Sequence, residues 1–312
     1  ELLQDRPPDR ILRRPRLTVL DDLPLPAYHL FDLDAYAKTT DLIPDATNVF
    51  SYATSRGCPF RCTFCSANNI WGRRYTFKSP EKVVSDLAYL ERRYGCDAIY
   101  FREDNFTVRR QRVLEICRLM REKNLGLRWA TESRVDTLDA ELLGAMKSAG
   151  CRGLYFGVEA GNDRRLARLS KGITVEQIER VFALTRELGL YRFASFIIDT
   201  PDETREDRLD LLRFIERIQP DRVSINHFSA LPGSPLYDDV VRSGGYDYVD
   251  DVGIVHMPHK PYPLALEDHR TLAQRLQDLA YDSHPLERMS RSIRYRLGCL
   301  LERVRPPRGP KQ

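Results

Sequence analysis

From about residue 49 to residue 230 the chain alternates short apolar or aromatic runs with amphipathic runs of helical period. The apolar runs at 49–54, 97–101, 127–131, 152–159, 191–198 and 222–230 read as strands. Helices are predicted at 79–95, 109–126, 139–150, 172–190 and within 204–218. Two of them carry their own punctuation. Ser79 is a cap with Pro80 in the first turn and Gly95 as the stop, and Thr174 with Gln177 spells a capping box. Six strand–helix units in roughly 180 residues give about 30 residues each, the size of a strand–helix–strand element. Strands joined this way run parallel with right-handed crossovers. Several strands end in polar clusters (REDN, TESR, EAGN, DTPDE, NHFS), which gather on one rim, the edge where parallel α/β folds bind ligands. The expected fold is therefore α/β: a partial (β/α)6 TIM-like barrel of parallel strands. Residues 1–48 read as an N-terminal linker or extension, 49–238 as the core, and 239–312 as a C-terminal helical, basic tail.

At 312 residues and 42% hydrophobic content the chain can bury such a core. A net charge of +4 is too small to imply nucleic acid. No apolar run approaches the ~18 residues that span a bilayer, and no signal-peptide core appears. Cys96, Cys117, Cys151 and Cys299 are dispersed through an odd total of seven, which reads as free thiols in a reducing cytoplasm. The chain begins at Glu1 rather than Met, as a fragment or processed product would.

The other three cysteines, Cys58, Cys62 and Cys65, form a C-x3-C-x2-C cluster in the loop after the first strand. A structural zinc site would need a fourth ligand and paired Cys/His halves, and none follows nearby. Three thiolates can instead hold an iron–sulfur cubane with one iron left open. The bland reading is three incidental thiols in a rim loop.

With Phe64 before the last cysteine and six strand–helix units around it, the motif resembles the radical S-adenosylmethionine superfamily over about residues 50–237. The resemblance implies a [4Fe-4S] cluster on Cys58, Cys62 and Cys65, with S-adenosylmethionine chelated by the open iron. One electron from the reduced cluster then gives methionine and a 5′-deoxyadenosyl radical that abstracts hydrogen from substrate. It further implies cosubstrate contacts from Phe64, from Glu103 and Asp104 (methionyl ammonium), from Glu132, from Glu159 (ribose), from Lys171 (methionyl carboxylate) and from Ser195. Arg134 sits beside Glu132 at the end of strand three. The same resemblance implies an electron donor of the flavodoxin or ferredoxin type. Strand five departs from the family: Asp199 and Asp202 stand at glycine positions in DTPDET, and Asp tolerates positive φ less well than Gly.

The strings DDLPLPAY, EDNFT and LPGSPLY resemble the cobalamin-associated branch. Its D-x-H-x-x-G signature is missing here; DSHPLE at 282–287 is the nearest string. Cobalamin-dependent methyl transfer therefore requires an upstream domain, and without one other radical outcomes stay open. The substrate expected is a small molecule, lipid or saccharide. A helix over 266–282 and an Arg-rich end from 288 onward complete the reading, the latter a solvated helix or a grip on an anionic substrate. His227, after strand six, is the candidate acid or base. Two alternatives differ in class: a tRNA methylthiotransferase-like enzyme, and a non-catalytic module binding a cluster or zinc.

Overall fold

The six expected strands form one sheet. The computed structural model describes residues 16–33 and 39–258. In chain order the first elements are β1 (Val49–Tyr52), β2 (Ser55–Arg56), α1 (Ala67–Trp71), β3 (Thr76–Phe77), α2 (Pro80–Tyr94) and β4 (Ala98–Phe101). Then come α3 (Arg110–Glu122), β5 (Arg128–Ser133), α4 (Ala140–Ser148), β6 (Cys151–Glu159), α5 (Asp163–Arg168), α6 (Val175–Glu187) and β7 (Tyr191–Ile198). The series ends with α7 (Arg205–Ile218), β8 (Arg222–His227), β9 (Ser229–Ala230), α8 (Pro235–Ser243), β10 (Tyr248–Val249) and β11 (Val255–His256). The main sheet runs β1-β4-β5-β6-β7-β8, with every neighbouring pair parallel. The expected partial barrel is thus present. The helix expected at 266–282 and the Arg-rich end lie outside the described residues.

Period-two alternation along each strand builds two different faces. Outward residues such as Phe101, Trp129, Phe156 and Phe196 are fully buried against the helices. Inward residues Val49, Ala98, Ala130, Tyr155 and Phe193 pack on Leu42, Ile43 and Ala46. A flat sheet would hold β1 and β7 about 19 Å apart, at about 4.8 Å per strand step. Both instead reach one small cluster, so the sheet curls around it. The lead-in residues 42, 43 and 46 are core, closing the end of the barrel where strands begin. Gly153 permits this: a Cβ there would meet the Leu42 carbonyl oxygen at 2.4 Å.

The predicted caps are in place. The Ser79 side chain accepts from the Lys82 N–H at 3.1 Å, and Gly95 ends α2 at φ 61°. Thr174 and Gln177 cap α6 reciprocally, at 3.2 and 2.9 Å. A Thr174→Ala variant should lose about 1 kcal/mol, read as a lower urea midpoint at unchanged m value. An unshifted midpoint would contradict the capping role.

Three features depart from the sequence reading. The final strand breaks at Phe228, whose N–H bonds the Ile198 carbonyl at 2.8 Å while its ring enters a separate cluster with Ala230, Val240 and Val255. Residues 229–230 therefore join a second sheet, β10-β11-β9. The cysteine loop is bracketed by a ribbon, β2 antiparallel to β3. Helices α1 and α5, of five and six residues, were too short to show a period.

Candidate active site

The cysteine loop leaves the sheet at the carboxyl end of β1 and is held from several sides. Gly57 precedes it at φ 90°, and a Cβ there would lie 2.5 Å from the Arg74 carbonyl oxygen, so only glycine fits. Within the loop the Cys65 N–H bonds the Cys62 carbonyl at 3.3 Å, and the Ala67 N–H points to Cys65 Sγ at 3.4 Å. The Asn68 side chain ties α1 back to the Phe60 carbonyl at 2.9 Å. Thr63 is clamped by backbone bonds to Leu169 and Leu236, both 3.0 Å. Cys58, Cys62 and Cys65 are free and half-buried, whereas Cys96, Cys117 and Cys151 are buried in the core. Burial pushes the Cys58 and Cys65 thiols above the ordinary range. Asp104 stands near both sulfurs.

Two carboxylates follow β4. Glu103 is buried, and its Oε1 accepts from the Thr54 N–H at 3.0 Å and the Thr54 hydroxyl at 2.7 Å. Its Oε2 is buried with no partner among the described residues. Burial raises the Glu103 pKa against the pull of the Arg112 guanidinium and the Thr54 hydrogen bonds. Arg112 is itself anchored to the Thr54 hydroxyl at 2.7 Å and the Lys78 carbonyl at 2.9 Å. Asp104 is exposed as a residue, but its carboxylate is partly covered where it accepts from the Gly57 backbone, and that partial burial raises its pKa against the hydrogen bond.

Glu159 and Lys171 come from opposite ends of α5 and meet. Lys171 Nζ lies 2.8 Å from Glu159 Oε1, with both side chains under one-tenth exposed. Glu159 sits at φ 71°, a costly conformation for a non-glycine residue. A Cβ on Gly157 would lie 2.4 Å from that carboxylate and 2.9 Å from Lys171 Nζ, so the missing side chain gives the pair its room. Lys171 Nζ also stands 5.8 Å from the Phe64 ring centroid. The concave face below is polar. Tyr100 donates to Glu132 at 2.8 Å, and burial raises the Glu132 pKa against that bond. Ser195, opposite Gly157 in register, accepts from the Asn226 side chain at 3.0 Å.

Arg134, named only by its place after strand three, is central. Its guanidinium is bidentate to Asp136 at 2.9 Å on both bonds, and it donates to the Lys171 carbonyl at 2.5 Å. It stacks 3.7 Å above the Phe60 ring and reaches Cys62 Sγ at 3.6 Å. The contact ties the end of the third barrel strand, β5, to the middle cysteine of the loop. Sequence reasoning missed this link because Arg134 and Cys62 are 72 positions apart.

On strand five Asp199 does adopt φ 63°. Its carboxylate pairs with buried Arg208, and its Oδ2 lies 2.7 Å from His227 Nδ1. Asp202, the other residue at a glycine position, pairs with Arg165 at 2.8 Å and Arg168 at 2.7 Å. His227 stands half-exposed at the end of β8.

These residues fit a cubane cluster and its cosubstrate. Among the described residues no three His, Cys, Asp or Glu side chains stand grouped around a point where a single metal ion could sit. A cubane asks instead for thiolates on separate irons, and the unpartnered Glu103 oxygen is an acceptor ready for a buried cation.

Residues 52–215 match the Radical SAM superfamily. An uncharacterized methyltransferase of Pyrococcus horikoshii is 34% identical over 230 residues, 74% of this chain and 49% of its own length. The cytidylyl-2-hydroxyethylphosphonate methyltransferase of Streptomyces wedmorensis is 28% identical over 77% of this chain and 48% of its own length. The chain thus spans about half the length of these curated relatives. In structure, the radical S-adenosylmethionine methyltransferase TsrM of Kitasatospora setae, solved with cobalamin and a [4Fe-4S] cluster, aligns with a TM-score of 0.58 at 21% identity. That alignment covers 68% of this chain and 44% of TsrM, and it shows a shared fold. The match across more than half of the chain places it in a family that carries a [4Fe-4S] cluster and uses S-adenosylmethionine: this chain belongs to the radical SAM superfamily.

Proposed function

We propose that this chain is the cleavage core of a radical S-adenosylmethionine methyltransferase. The observation that carries the reading is the buried, unpartnered Oε2 of Glu103 beside the three-cysteine loop. In this reading Cys58, Cys62 and Cys65 hold the cluster. When bound, the cluster supplies the single electron that splits S-adenosylmethionine into methionine and a 5′-deoxyadenosyl radical. Glu103 accepts the methionyl ammonium, with Asp104 at the entrance. Glu159 takes the ribose hydroxyls and Lys171 the methionyl carboxylate, after their mutual ion pair opens. Phe64, Glu132 and Ser195 line the cosubstrate. His227, oriented by Asp199 through the 2.7 Å contact, moves a proton on substrate.

The methyltransferase names of the relatives and the cobalamin in TsrM support methyl transfer with cobalamin held by a further domain. We assign the protein to the cytoplasm, which suits the free core thiols; no described helix is long and apolar enough to cross a membrane. The electron donor is of the flavodoxin or ferredoxin type.

The test is anaerobic. The reconstituted chain, given S-adenosylmethionine and a chemical reductant, should form 5′-deoxyadenosine, and absence of product with a full cluster would overturn the cleavage reading. A Glu103→Gln variant keeps an acceptor for Thr54 but loses the charge. It should bind S-adenosylmethionine about 10- to 100-fold more weakly by calorimetry, the worth of one charge-assisted hydrogen bond. Unchanged affinity would remove Glu103 from the site.

A further inference from the structure

The three loop sulfurs meet hydrogen-bond donors of two kinds. Cys58 faces the Phe60 N–H, and Cys65 faces the Ala67 N–H at 3.4 Å. Both donors are neutral backbone groups two residues further along the same loop. Cys62 is served instead by a charged side chain from another part of the fold, Arg134, whose Nη1 lies 3.6 Å from the sulfur. Among the described residues no other guanidinium donates to a cysteine sulfur.

The guanidinium is fixed for that contact by three separate segments. Its Nε and Nη2 donate to the two oxygens of Asp136 at 2.9 Å each, and Nη2 also donates to the Lys171 carbonyl at 2.5 Å. These bonds occupy one edge of the planar fork and leave Nη1 for Cys62. The ring of Phe60, from the loop itself, lies 3.7 Å from the guanidinium carbon. The Arg134 side chain is 7% exposed, so water screens its charge little, while Asp136 on the far edge offsets part of that charge. The direction in which the contact acts follows from charge. Reduction adds one negative charge that the ligand sulfurs share. A donor on a ligand sulfur stabilises the reduced form more than the oxidised form, and hydrogen bonds to the sulfurs are among the features that set cluster potentials.

We propose, on the cluster reading above, that Arg134 is a positioning residue that raises the reduction potential of the cluster through Cys62, with Asp136 opposing it from the other edge of the guanidinium. The reductant gives up one electron and the cluster takes it up. At Arg134 no proton moves and no bond forms or breaks.

The full chain is reconstituted anaerobically and its cluster titrated with dithionite in the presence of redox mediators. The reduced form is read by electron paramagnetic resonance, without S-adenosylmethionine. In Arg134→Gln the ratio of reduced to oxidised cluster at the wild-type midpoint should fall about tenfold, the scale of one charge-assisted hydrogen bond. For one electron that is a midpoint about 59 mV more negative. Asp136→Asn keeps an acceptor for the guanidinium and removes the opposing charge, so its midpoint should move the other way. A clasp that only holds the loop would not give opposite signs, since both variants loosen it. A midpoint unchanged or raised in Arg134→Gln, or lowered by both variants, would overturn the proposal. Where Arg134→Gln assembles no cluster, Asp136→Asn decides alone: a more positive midpoint supports the tuning, and an unchanged or more negative one overturns it. Loss of the cluster from both variants would also overturn it and assign the clasp to folding of the loop. Failure of the underlying reading looks different: the wild type assembles no cluster, or its reduced cluster yields no 5′-deoxyadenosine, whatever the midpoints of the variants.

Discussion

Replacing any one of Cys58, Cys62 or Cys65 with alanine will reduce cluster content to a small fraction and 5′-deoxyadenosine formation to background. The reason is the count of ligands. A cubane held by three thiolates has no spare, and the other cysteines among the described residues are in the core: Cys96 donates to the Ala98 carbonyl at 3.1 Å, and Cys117 and Cys151 are buried among the helices and sheet. None of these three can substitute without unfolding the barrel. The control is Cys117→Ala, which removes a buried thiol far from the loop and should keep full iron and sulfide content. Iron quantification and visible absorbance after anaerobic reconstitution check both. A single loop variant that retained the cluster would show that a different residue completes the ligand set.

Arg208→Leu is expected to destabilise the fold by about 3–5 kcal/mol, the cost of stranding buried charge. Arg208 is 2% exposed and pairs with Asp199 and Glu203, at 2% and 5%. Burial alone would lower the guanidinium pKa, but the carboxylates of Glu203 and Asp199 hold it raised. Removing the cation leaves two carboxylates side by side in a site closed to water, with the Asp199 backbone still at φ 63°. Urea unfolding of the wild type and variant gives the difference. A loss under about 1 kcal/mol, the size of an exposed pair, would mean that water already screens the group. The same variant removes the cation that anchors Asp199, the partner of His227, so its effect on any substrate reaction would be measured below the melting range.

The fold was legible because strand periods, helix caps and unit length agreed with one another. Ser79, Gly95, Thr174 and Gln177 do in space what they promise in sequence. The site was legible in part. Cysteines spaced within one loop advertise themselves, and Glu103, Glu159 and Lys171 stand beside strand ends where a rim is expected. Arg134 against Cys62, and the direct Glu159–Lys171 pair, depend on how separate loops fold over one another, which no local pattern records. The same is true of residues 42, 43 and 46: in sequence they belong to a Pro- and Asp-rich lead-in, yet they fill the barrel because inward Ala98, Ala130 and Gly153 leave space for them. Asp199 at a glycine position read as a departure from the family, at a place where Asp is less at ease than Gly. In the fold it takes the left-handed conformation and a buried cation holds it there.

In the proposed arrangement the cluster on Cys58, Cys62 and Cys65 leaves one iron for S-adenosylmethionine. Electron–nuclear double resonance on the reduced cluster, with S-adenosylmethionine labelled by nitrogen-15 at its amino group and oxygen-17 at its carboxylate, tests it most directly. Hyperfine coupling from both labels is expected, with the nitrogen signal weakened in Glu103→Gln. A reduced cluster whose spectrum is unaltered by S-adenosylmethionine, with neither label coupled, would contradict it.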